Sequence, residues 1–353
     1  MRKILIDGRL LSNKPTGISR YTEEVIHSLI EQYGREDIFV IVDTKYSNIN
    51  NYNIIPTILK PYNPLHFLLF SFYIYKQKFS VYYSTFYSGI YFKTRKTKQI
   101  LTVHDLMYLR IENYFSTSSI RNNLNKILLN FIVKSSLRSG NLIISVSKTT
   151  KSDLLEYFKK DSIVIGEGIN YLNEKPSSTN IFDKLQIQKG KYFLYIGNFR
   201  RQKNIPFLIE AFNLSKTPYQ LLLVGNGIFQ KNKNENVIYA GMLEDHEIQN
   251  LYKNCLAFIM PSLYEGFGLP ILEAYNAGAR VLSSNQGALA EFQDLNINYF
   301  SPFKINELVS LLQNIDNLPK PTESEINLAR IAYSWKNQNI KIIDSIESLI
   351  NRQ

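Results

Sequence analysis

The chain has 353 residues, enough for two domains, and its 44% hydrophobic and 20% charged residues are ordinary for a globular protein. A single cysteine, Cys255, excludes a disulfide framework within the chain, and no apolar run reaches the roughly 18 residues of a membrane-spanning helix. The net charge of +11 is uneven: residues 1–180 carry 24 Lys and Arg against 14 Asp and Glu, and residues 181–353 carry 17 against 16. This excess indicates that the first half meets an anionic membrane surface or nucleic acid, although solvated lysines without a partner would also account for it.

Apolar periodicity predicts alternating strands and helices in the first half. The run 3–8 is short, contains an Asp and ends at a glycine, so we interpret it as a strand and not as a signal peptide. Segment 17–34 has apolar residues near a spacing of 3.6 and predicts an amphipathic helix that ends at Gly34. The other predicted elements are strands at 38–43, 99–105 and 142–147, a strand and loop at 81–92, and helices at 65–75, 120–140 and 148–158.

The same pattern restarts after the polar segment 170–180, whose Pro and Ser residues predict a linker. The strands predicted beyond it are 191–198, 219–227, 237–243, 256–262 and 280–285, and the helices are 205–215, 244–255 and the segment from Pro270 to Gly278. Repeated strand–helix units favour parallel sheets covered on both faces. We therefore expect an α/β protein with two doubly wound domains and a helix at the end of the chain.

Glycines and polar residues follow several predicted strands, at the edge where open parallel sheets bind ligands. The first-half examples are Gly17, His104 and Asp105. In the second half, Arg200, Arg201 and Lys203 follow a strand closely, and these cations would neutralise a diphosphate.

A second loop of the same kind holds two glutamates, in the stretch PSLYEGFGLPILEAYNAG (261–278). Gly266, Gly268 and the start of the helix at Pro270 offer free N–H groups and a positive dipole end to an anion. The carboxylates Glu265 and Glu273 suit the hydroxyl groups of a sugar or a ribose. A site that binds a diphosphate between two polyols describes a nucleotide sugar.

This stretch resembles the E-x7-E motif of retaining, family-4-type glycosyltransferases (glycosyl transferases group 1), in particular mannosyltransferases. Further blocks resemble the family in the same order along nearly the whole chain, at 16–29, 102–115, 145–158, 195–212, 237–255 and 332–346. The resemblance implies GT-B architecture, in which two Rossmann-like parallel-sheet domains face each other across a cleft. It implies an acceptor-binding domain over 1–172, a nucleotide-sugar-binding domain over 173–333, and a C-terminal helix in 334–353 that crosses back to the first domain.

The resemblance also implies roles for single residues. Glu265 would meet hydroxyls of the donor sugar beside the backbone N–H groups of 267–269, Glu273 would hold the ribose, and Lys203 would neutralise the leaving diphosphate. Gly17 would let the backbone approach the phosphates, Met242 and Leu243 would contact the base through their backbone, and His104 would lie near the transferred sugar. The implied catalytic residues are His104, Lys203 and Glu265. The implied donor-binding residues are Gly17, Gly197, Arg200, Arg201, Lys203, Met242, Leu243, Glu265, Gly266, Phe267, Gly268, Leu269 and Glu273.

Two departures from the family pattern stand out. Gln202 occupies the position before Lys203, where the family often has Arg or Lys, so Arg200 or Arg201 would serve as the second phosphate cation. The block IGEGIN (165–170) stands where relatives have Asn-Gly-Val-Asp.

Together with the resemblance, these features predict a retaining glycosyltransferase that moves a hexose from a GDP- or UDP-linked donor to a glycan acceptor in the synthesis of a bacterial O-antigen, capsule or lipopolysaccharide, with no metal and no cofactor. A lipid-linked acceptor is favoured, and a soluble acceptor is the alternative. The basic, aromatic stretches 64–78 and 120–138 suit an anionic bilayer, so we expect a peripheral protein at the cytoplasmic face of the inner membrane. The alternatives are a catalytically inactive scaffold of the same fold, a sugar-nucleotide epimerase and a nucleic-acid-binding protein. No recognised nucleic-acid-binding motif appears, so nucleic acid is not an expected partner.

Overall fold

The computed structural model describes residues 3–13, 16–46, 53–92, 96–116, 118–169, 181–227 and 234–351. The chain divides into two compact units, of which the first comprises Met1–Gly168 with Trp335–Gln353 and the second Ile169–Ser334. The linker predicted at 170–180 and the boundary predicted at 172 lie outside the described residues.

The first unit contains a seven-stranded parallel sheet in the order β3-β2-β1-β4-β5-β6-β7. Its strands are β1 (Ile4–Asp7), β2 (Ile38–Asp43), β3 (Asn53–Thr57), β4 (Val81–Ser84), β5 (Lys98–Val103), β6 (Leu142–Ser145) and β7 (Ile163–Val164). The chain builds outward from β1 to β3 and then restarts beside β1 with β4, so the strand order reverses between β1 and β4.

Six helices belong to this unit within its described residues. They are α1 (Gly17–Tyr33), α2 (Pro64–Lys76), α3 (Met107–Arg110), α4 (Ser119–Ser139), α5 (Lys148–Phe158) and α12 (Trp335–Asn351). The start of α1 is fixed by Thr16, whose side chain accepts a hydrogen bond from the N–H of Ser19, and its end by Gly34 at φ 84°. The last helix, α12, packs against α1 and buries Ile342 and Ile346.

The second unit contains a six-stranded parallel sheet in the order β10-β9-β8-β11-β12-β13. Its strands are β8 (Tyr192–Ile196), β9 (Gln220–Val224), β10 (Val237–Gly241), β11 (Ala257–Met260), β12 (Val281–Ser284) and β13 (Asn298–Phe300). Its helices are α6 (Ile181–Leu185), α7 (Ile205–Ser215), α8 (Asp245–Asn254), α9 (Leu269–Asn276), α10 (Ile305–Gln313) and α11 (Glu323–Ala332).

Both faces of this second sheet are covered, as the continuous apolar strands predict. Tyr192 and Leu194 of β8 pack into one hydrophobic core, whereas Phe193 and Tyr195 pack into a separate core. The alternation follows from the two-residue period of a strand. Strands that are buried on both faces place their reactive residues at their ends, in the loops.

Each strand and helix predicted within the described residues is present, and the predicted helices 148–158 and 205–215 match α5 and α7 to the residue. The prediction omitted the short elements β7, β13, α3 and α6, the helix α10, and the strand β3, which contains Pro56. Proline cannot donate a ladder hydrogen bond, but β3 is an edge strand and needs no donor on its outer side. Among the described residues, no helix combines the length and the apolar character needed to cross a bilayer.

Candidate functional site

Two loops of the second unit meet where its strand order reverses, between β8 and β11. Loop 197–204 follows β8 and loop 261–268 follows β11. The backbone N–H of Leu263 donates to the carbonyl of Gln202 at 2.8 Å, which ties the loops together. A crevice at such a reversal point is where open parallel sheets bind their ligands.

An ion pair joins the two loops at this point. The Nζ atom of Lys203 donates to Oε1 of Glu265 at 2.6 Å, and the two side chains are only 13% and 11% exposed. Arg200 and Arg201 are exposed, whereas Gln202 is buried. The structure therefore brings Lys203 and Glu265 together, and the assistance expected from Arg200 or Arg201 stays a prediction.

A close backbone approach between the ends of β8 and β9 explains Gly225. A Cβ atom added to Gly225, which follows β9, would lie 1.8 Å from the carbonyl oxygen of Gly197. The N–H of Gly197 donates to the carbonyl of Val224 at 2.9 Å. The fold therefore requires a glycine at 225, and the donor-binding role of Gly197 stays a prediction.

The helix in the second loop begins one residue earlier than predicted. α9 starts at Leu269, with Gly268 at φ 125° preceding it and Pro270 in its first turn. Few residues other than glycine adopt that φ, and a Cβ at Gly268 would also lie 2.8 Å from the side chain of Leu289. The first turn of α9 carries no acidic residue, so nothing in it opposes an anion at the helix N-terminus. Gly266 is buried in this loop, and Phe267 is half-buried with its ring 5.5 Å from that of Phe292.

A helix that began at Pro270, as predicted, would have Glu273 in its first turn, but α9 begins at Leu269 and Glu273 lies in its second turn. Interaction with the helix dipole, which is strongest in the first turn, therefore explains it less well. Its Oε2 atom accepts a hydrogen bond from the hydroxyl of Tyr252 on α8 at 3.1 Å. Tyr252 was not singled out from the sequence, because α8 and α9 come together only in the fold.

The segment between β10 and α8 contains the predicted base contacts. Met242 is 74% exposed and Leu243 is half-buried. The helix that follows is fixed by a capping box of Glu244 and Glu247. The backbone contacts of Met242 and Leu243 to a base stay predictions.

In the first unit, Gly17 begins α1 and is exposed. A Cβ atom added to it would meet nothing within 4 Å, and its φ is not positive. The fold therefore does not require a glycine at this position. A ligand that approaches the backbone closely would require one.

His104 follows β5 and is buried, with both ring nitrogens engaged by the protein. Nδ1 lies 2.7 Å from Oε1 of the buried Glu167, and Nε2 lies 2.9 Å from the carbonyl oxygen of Thr85. Since that carbonyl can only accept, Nε2 carries a hydrogen. Burial lowers the pKa of His104, but the hydrogen bond and the charge of Glu167 outweigh it and raise the pKa above its ordinary value.

Glu167 was noted in the sequence only as part of the departure at 165–170. Its partner stands 63 residues earlier, so no local pattern could reveal the pair. The position of His104 near a transferred sugar stays a prediction. Within the described part of the chain, no group of His, Cys, Asp and Glu residues could hold a metal ion.

Both loops lie within a segment that matches a known protein family. Residues 177–327, which include Lys203, Glu265 and Glu273, match the family described as glycosyl transferases group 1. The chain is 29% identical over 223 residues to the O-antigen chain mannosyltransferase B of Escherichia coli, covering 58% of this chain and 57% of that protein. It is 25% identical over 231 residues to the O-antigen chain mannosyltransferase RfbU of Salmonella typhimurium, covering 63% and 62%. The alignments therefore span less than two thirds of the length of these relatives.

Among solved structures, HepE from Anabaena in complex with UDP and glucose matches 99% of this chain and 100% of its own, with a TM-score of 0.73 and 17% sequence identity. At that identity the likeness concerns the fold. The two parallel α/β units have the GT-B fold, and residues 177–327, within the second unit, match the group 1 family of glycosyltransferases that the sequence resembles.

Proposed function

We propose that this chain is a retaining hexosyltransferase that moves a sugar from a GDP- or UDP-linked donor to a lipid-linked glycan during synthesis of a bacterial surface polysaccharide. Two relatives named as O-antigen chain mannosyltransferases support mannose as the sugar. The structure of HepE with UDP and glucose supports a nucleotide-diphosphate donor. GDP-mannose and the common UDP-sugars are therefore the first donors to test.

The observation that carries the proposal is the Lys203–Glu265 ion pair at the reversal point of the second sheet. At 2.6 Å and low exposure, each charge depends on the other for its stability. A nucleotide sugar offers both side chains a new partner. Its diphosphate would pair with the ammonium of Lys203, and its sugar hydroxyls would donate hydrogen bonds to the carboxylate of Glu265. Donor binding would then leave neither charge unpaired.

Neighbouring groups would complete the donor site. The backbone N–H groups of Phe267, Gly268 and Leu269 stand at the start of α9, where the helix dipole favours an anion. Glu273 would accept hydrogen bonds from the ribose, with its carboxylate oriented by Tyr252. Met242 and Leu243 would contact the base through their backbone.

The transfer itself needs charge stabilisation more than an acid or base from the protein. The bond between C1 of the sugar and the diphosphate oxygen breaks through an oxocarbenium-like state, and its electron pair leaves with the diphosphate. Lys203, with Arg200 or Arg201, would stabilise that growing negative charge. The acceptor hydroxyl attacks C1 from the side of the leaving group, and its proton passes to the departing diphosphate. Retention of configuration follows from attack on that side.

The first unit would bind the acceptor. Gly17 would allow close approach of the α1 N-terminus to the phosphates, and the His104–Glu167 pair would hold the end of β5 in place near the transferred sugar. The excess positive charge of residues 1–180 suits an acceptor anchored in an anionic membrane. We therefore infer a peripheral position at the cytoplasmic face of the membrane.

A thermal-shift panel of UDP- and GDP-sugars tests the proposal. A ligand that binds only the native state stabilises it by about 2.7 kcal/mol at a hundredfold excess over its Kd. We expect one donor to raise the melting temperature of the wild type, and to raise it much less in Lys203→Met and Glu273→Gln. The matched control is Lys304→Met, which removes an exposed ion pair with Glu307 in the same unit and should keep the full shift. If no nucleotide sugar shifts the wild type, the inactive scaffold becomes the better interpretation.

A further inference from the structure

Two neighbouring helices of the first unit, α2 and α4, expose large apolar side chains. On α2 these are Leu65, Leu69, Phe72 and Tyr75, which are 48–67% exposed. On α4 they are Ile120, Leu124, Ile127, Leu128 and Phe131, which are 37–83% exposed. On each helix the residues recur mostly at intervals of three and four, so each set forms one stripe along its helix.

The other side of each helix already packs against the protein. Phe67, Phe70 and Ile74 of α2 are buried, and so are Leu129, Ile132, Val133 and Leu137 of α4. The exposed stripes are therefore additional to the residues that hold these helices in the fold. Because apolar surface in water is unfavourable, a second, outward apolar stripe indicates a partner.

Aromatic contacts join the two stripes into one surface. The ring of Phe72 on α2 lies 5.0 Å from that of Phe92, and Phe92 lies 5.1 Å from Tyr91. Tyr91 in turn lies 6.0 Å from Phe131 on α4. We call this continuous surface, made of the two stripes with Tyr91 and Phe92, the α2–α4 face.

The charged residues on these two helices are all positive. Neither helix contains Asp or Glu, and exposed cations stand on both, at Lys76, Arg121, Lys134 and Arg138, with Lys78 just beyond α2. Within the described part of the chain, no ion pair joins any of these five cations to a carboxylate. Exposed apolar side chains and exposed cations on the same helices match the interface of an anionic bilayer, where the apolar groups enter the acyl boundary and the cations meet the headgroups.

We propose that the α2–α4 face inserts into the surface of an anionic membrane. The positive charge argues against a second copy of the chain as the occupant, because two such faces would repel each other. The inference adds to the proposed function the surface through which the enzyme would reach a lipid-linked acceptor. Membrane binding itself needs neither donor nor acceptor, so it can be measured independently.

Flotation of the purified chain with vesicles tests the proposal. One set contains phosphatidylcholine alone, and the other contains phosphatidylcholine mixed with the anionic lipid phosphatidylglycerol, which attracts basic segments. We expect strong binding to the anionic set, weak binding to the neutral set, and a loss of binding as salt is raised. The double variant Leu124→Glu with Ile127→Glu should lower the partition coefficient at least tenfold, and Leu65→Glu with Leu69→Glu should do the same from the other helix.

The chain offers a closely matched control on α11. Leu328 and Ile331 have the same residue types and the same spacing as Leu124 and Ile127, and both are 65% exposed. Leu328→Glu with Ile331→Glu should bind vesicles like the wild type. Equal binding to neutral and anionic vesicles, or unchanged binding of both face variants, would overturn the proposal.

A solution measurement of molecular mass identifies the competing occupant. A wild-type dimer that becomes a monomer in the Leu124→Glu/Ile127→Glu variant would show that a second copy covers the face, and would also overturn the proposal. Thermal shifts that nucleotide sugars induce in the same variants, measured without vesicles, separate the membrane-face proposal from the proposed transferase function. Vesicle binding without any nucleotide response supports the membrane face and contradicts the transferase, and the reverse result contradicts only the membrane face.

Discussion

Replacing Lys203 with methionine would remove one charge of the site while keeping a side chain of similar length. The carboxylate of Glu265 would then remain in a location where its side chain is only 11% exposed, without the ammonium that lies 2.6 Å away in the wild type. Breaking a buried ion pair by removing one partner costs ~3–5 kcal/mol, because the remaining charge is uncompensated. The residual exposure of this pair places our expectation at about 3 kcal/mol, the lower end of that range.

Unfolding of the second unit should report this loss directly. For a domain of this size, each kcal/mol shifts the melting temperature by about 2–4 °C, so we expect Lys203→Met to melt roughly 6–12 °C below the wild type. Adding Glu265→Gln should recover most of the loss, because the double variant has no unpaired charge. The cycle of single and double variants should therefore give an interaction energy of at least ~2 kcal/mol.

The assay is denaturant or thermal unfolding of the four proteins of this cycle, with Lys304→Met as the exposed control. Lys304 pairs with Glu307 at 3.4 Å, but these side chains are 73% and 42% exposed, so Lys304→Met should destabilise the protein much less than Lys203→Met does. If Lys203→Met is as stable as Lys304→Met, or if the double variant is no better than the single one, the two loops are not joined as described.

Three further substitutions test the remaining parts of the site. Glu167→Gln should lower the pKa of His104 relative to the wild type, because the charge of Glu167 would no longer oppose the effect of burial, and NMR titration of the ring measures this pKa. Because the pKa of His104 is raised in the folded state, its protonation stabilises the wild type fully below about pH 6.5, the ordinary histidine pKa. This stabilisation is lost as the pH rises through the pKa that His104 has in the folded protein. The difference in unfolding free energy between wild type and Glu167→Gln should therefore shrink from pH 6 towards pH 9. A pH-independent gap would contradict this. Gly17→Ala should leave the melting temperature almost unchanged but weaken donor binding at least tenfold, and equal donor binding would exclude a role for its backbone. Gly225→Ala should destabilise the second unit by more than roughly 2 kcal/mol, because its Cβ would lie 1.8 Å from the carbonyl oxygen of Gly197. A melting curve like that of the wild type would show that the backbones do not approach so closely there.

Elements with strong local signals could be predicted from the sequence. The start of α5 is fixed by Ser147, whose side chain accepts from the N–H of Thr150, and α7 has Pro206 in its first turn. Such signals depend on neighbouring residues, so they are visible in the sequence. The edge strand β3 carries a proline that argues against a strand, and only its position at the edge of the sheet makes the proline acceptable.

The candidate site could be predicted as a set of residues but not as a set of contacts. Lys203 and Glu265 were both expected from the sequence, yet they are 62 residues apart, and nothing local indicates that they pair. Glu167 was missed as the partner of His104 for the same reason. Spacing within a motif reports which side chains share a loop, whereas contacts between loops depend on strand order, which reverses between β8 and β11.

The central claim is that the chain transfers a sugar from a nucleotide donor with the help of Lys203. The most direct test uses phosphorus NMR to monitor the release of nucleoside diphosphate. The wild type and Lys203→Met would each be incubated with GDP-mannose or a UDP-sugar and a membrane glycolipid extract as the acceptor. The account predicts release from one donor that depends on the extract and is at least a hundredfold slower in the variant, which corresponds to about 2.7 kcal/mol of transition-state stabilisation. Release at equal rates in the two proteins, or a donor that binds the wild type but is never cleaved, would contradict it.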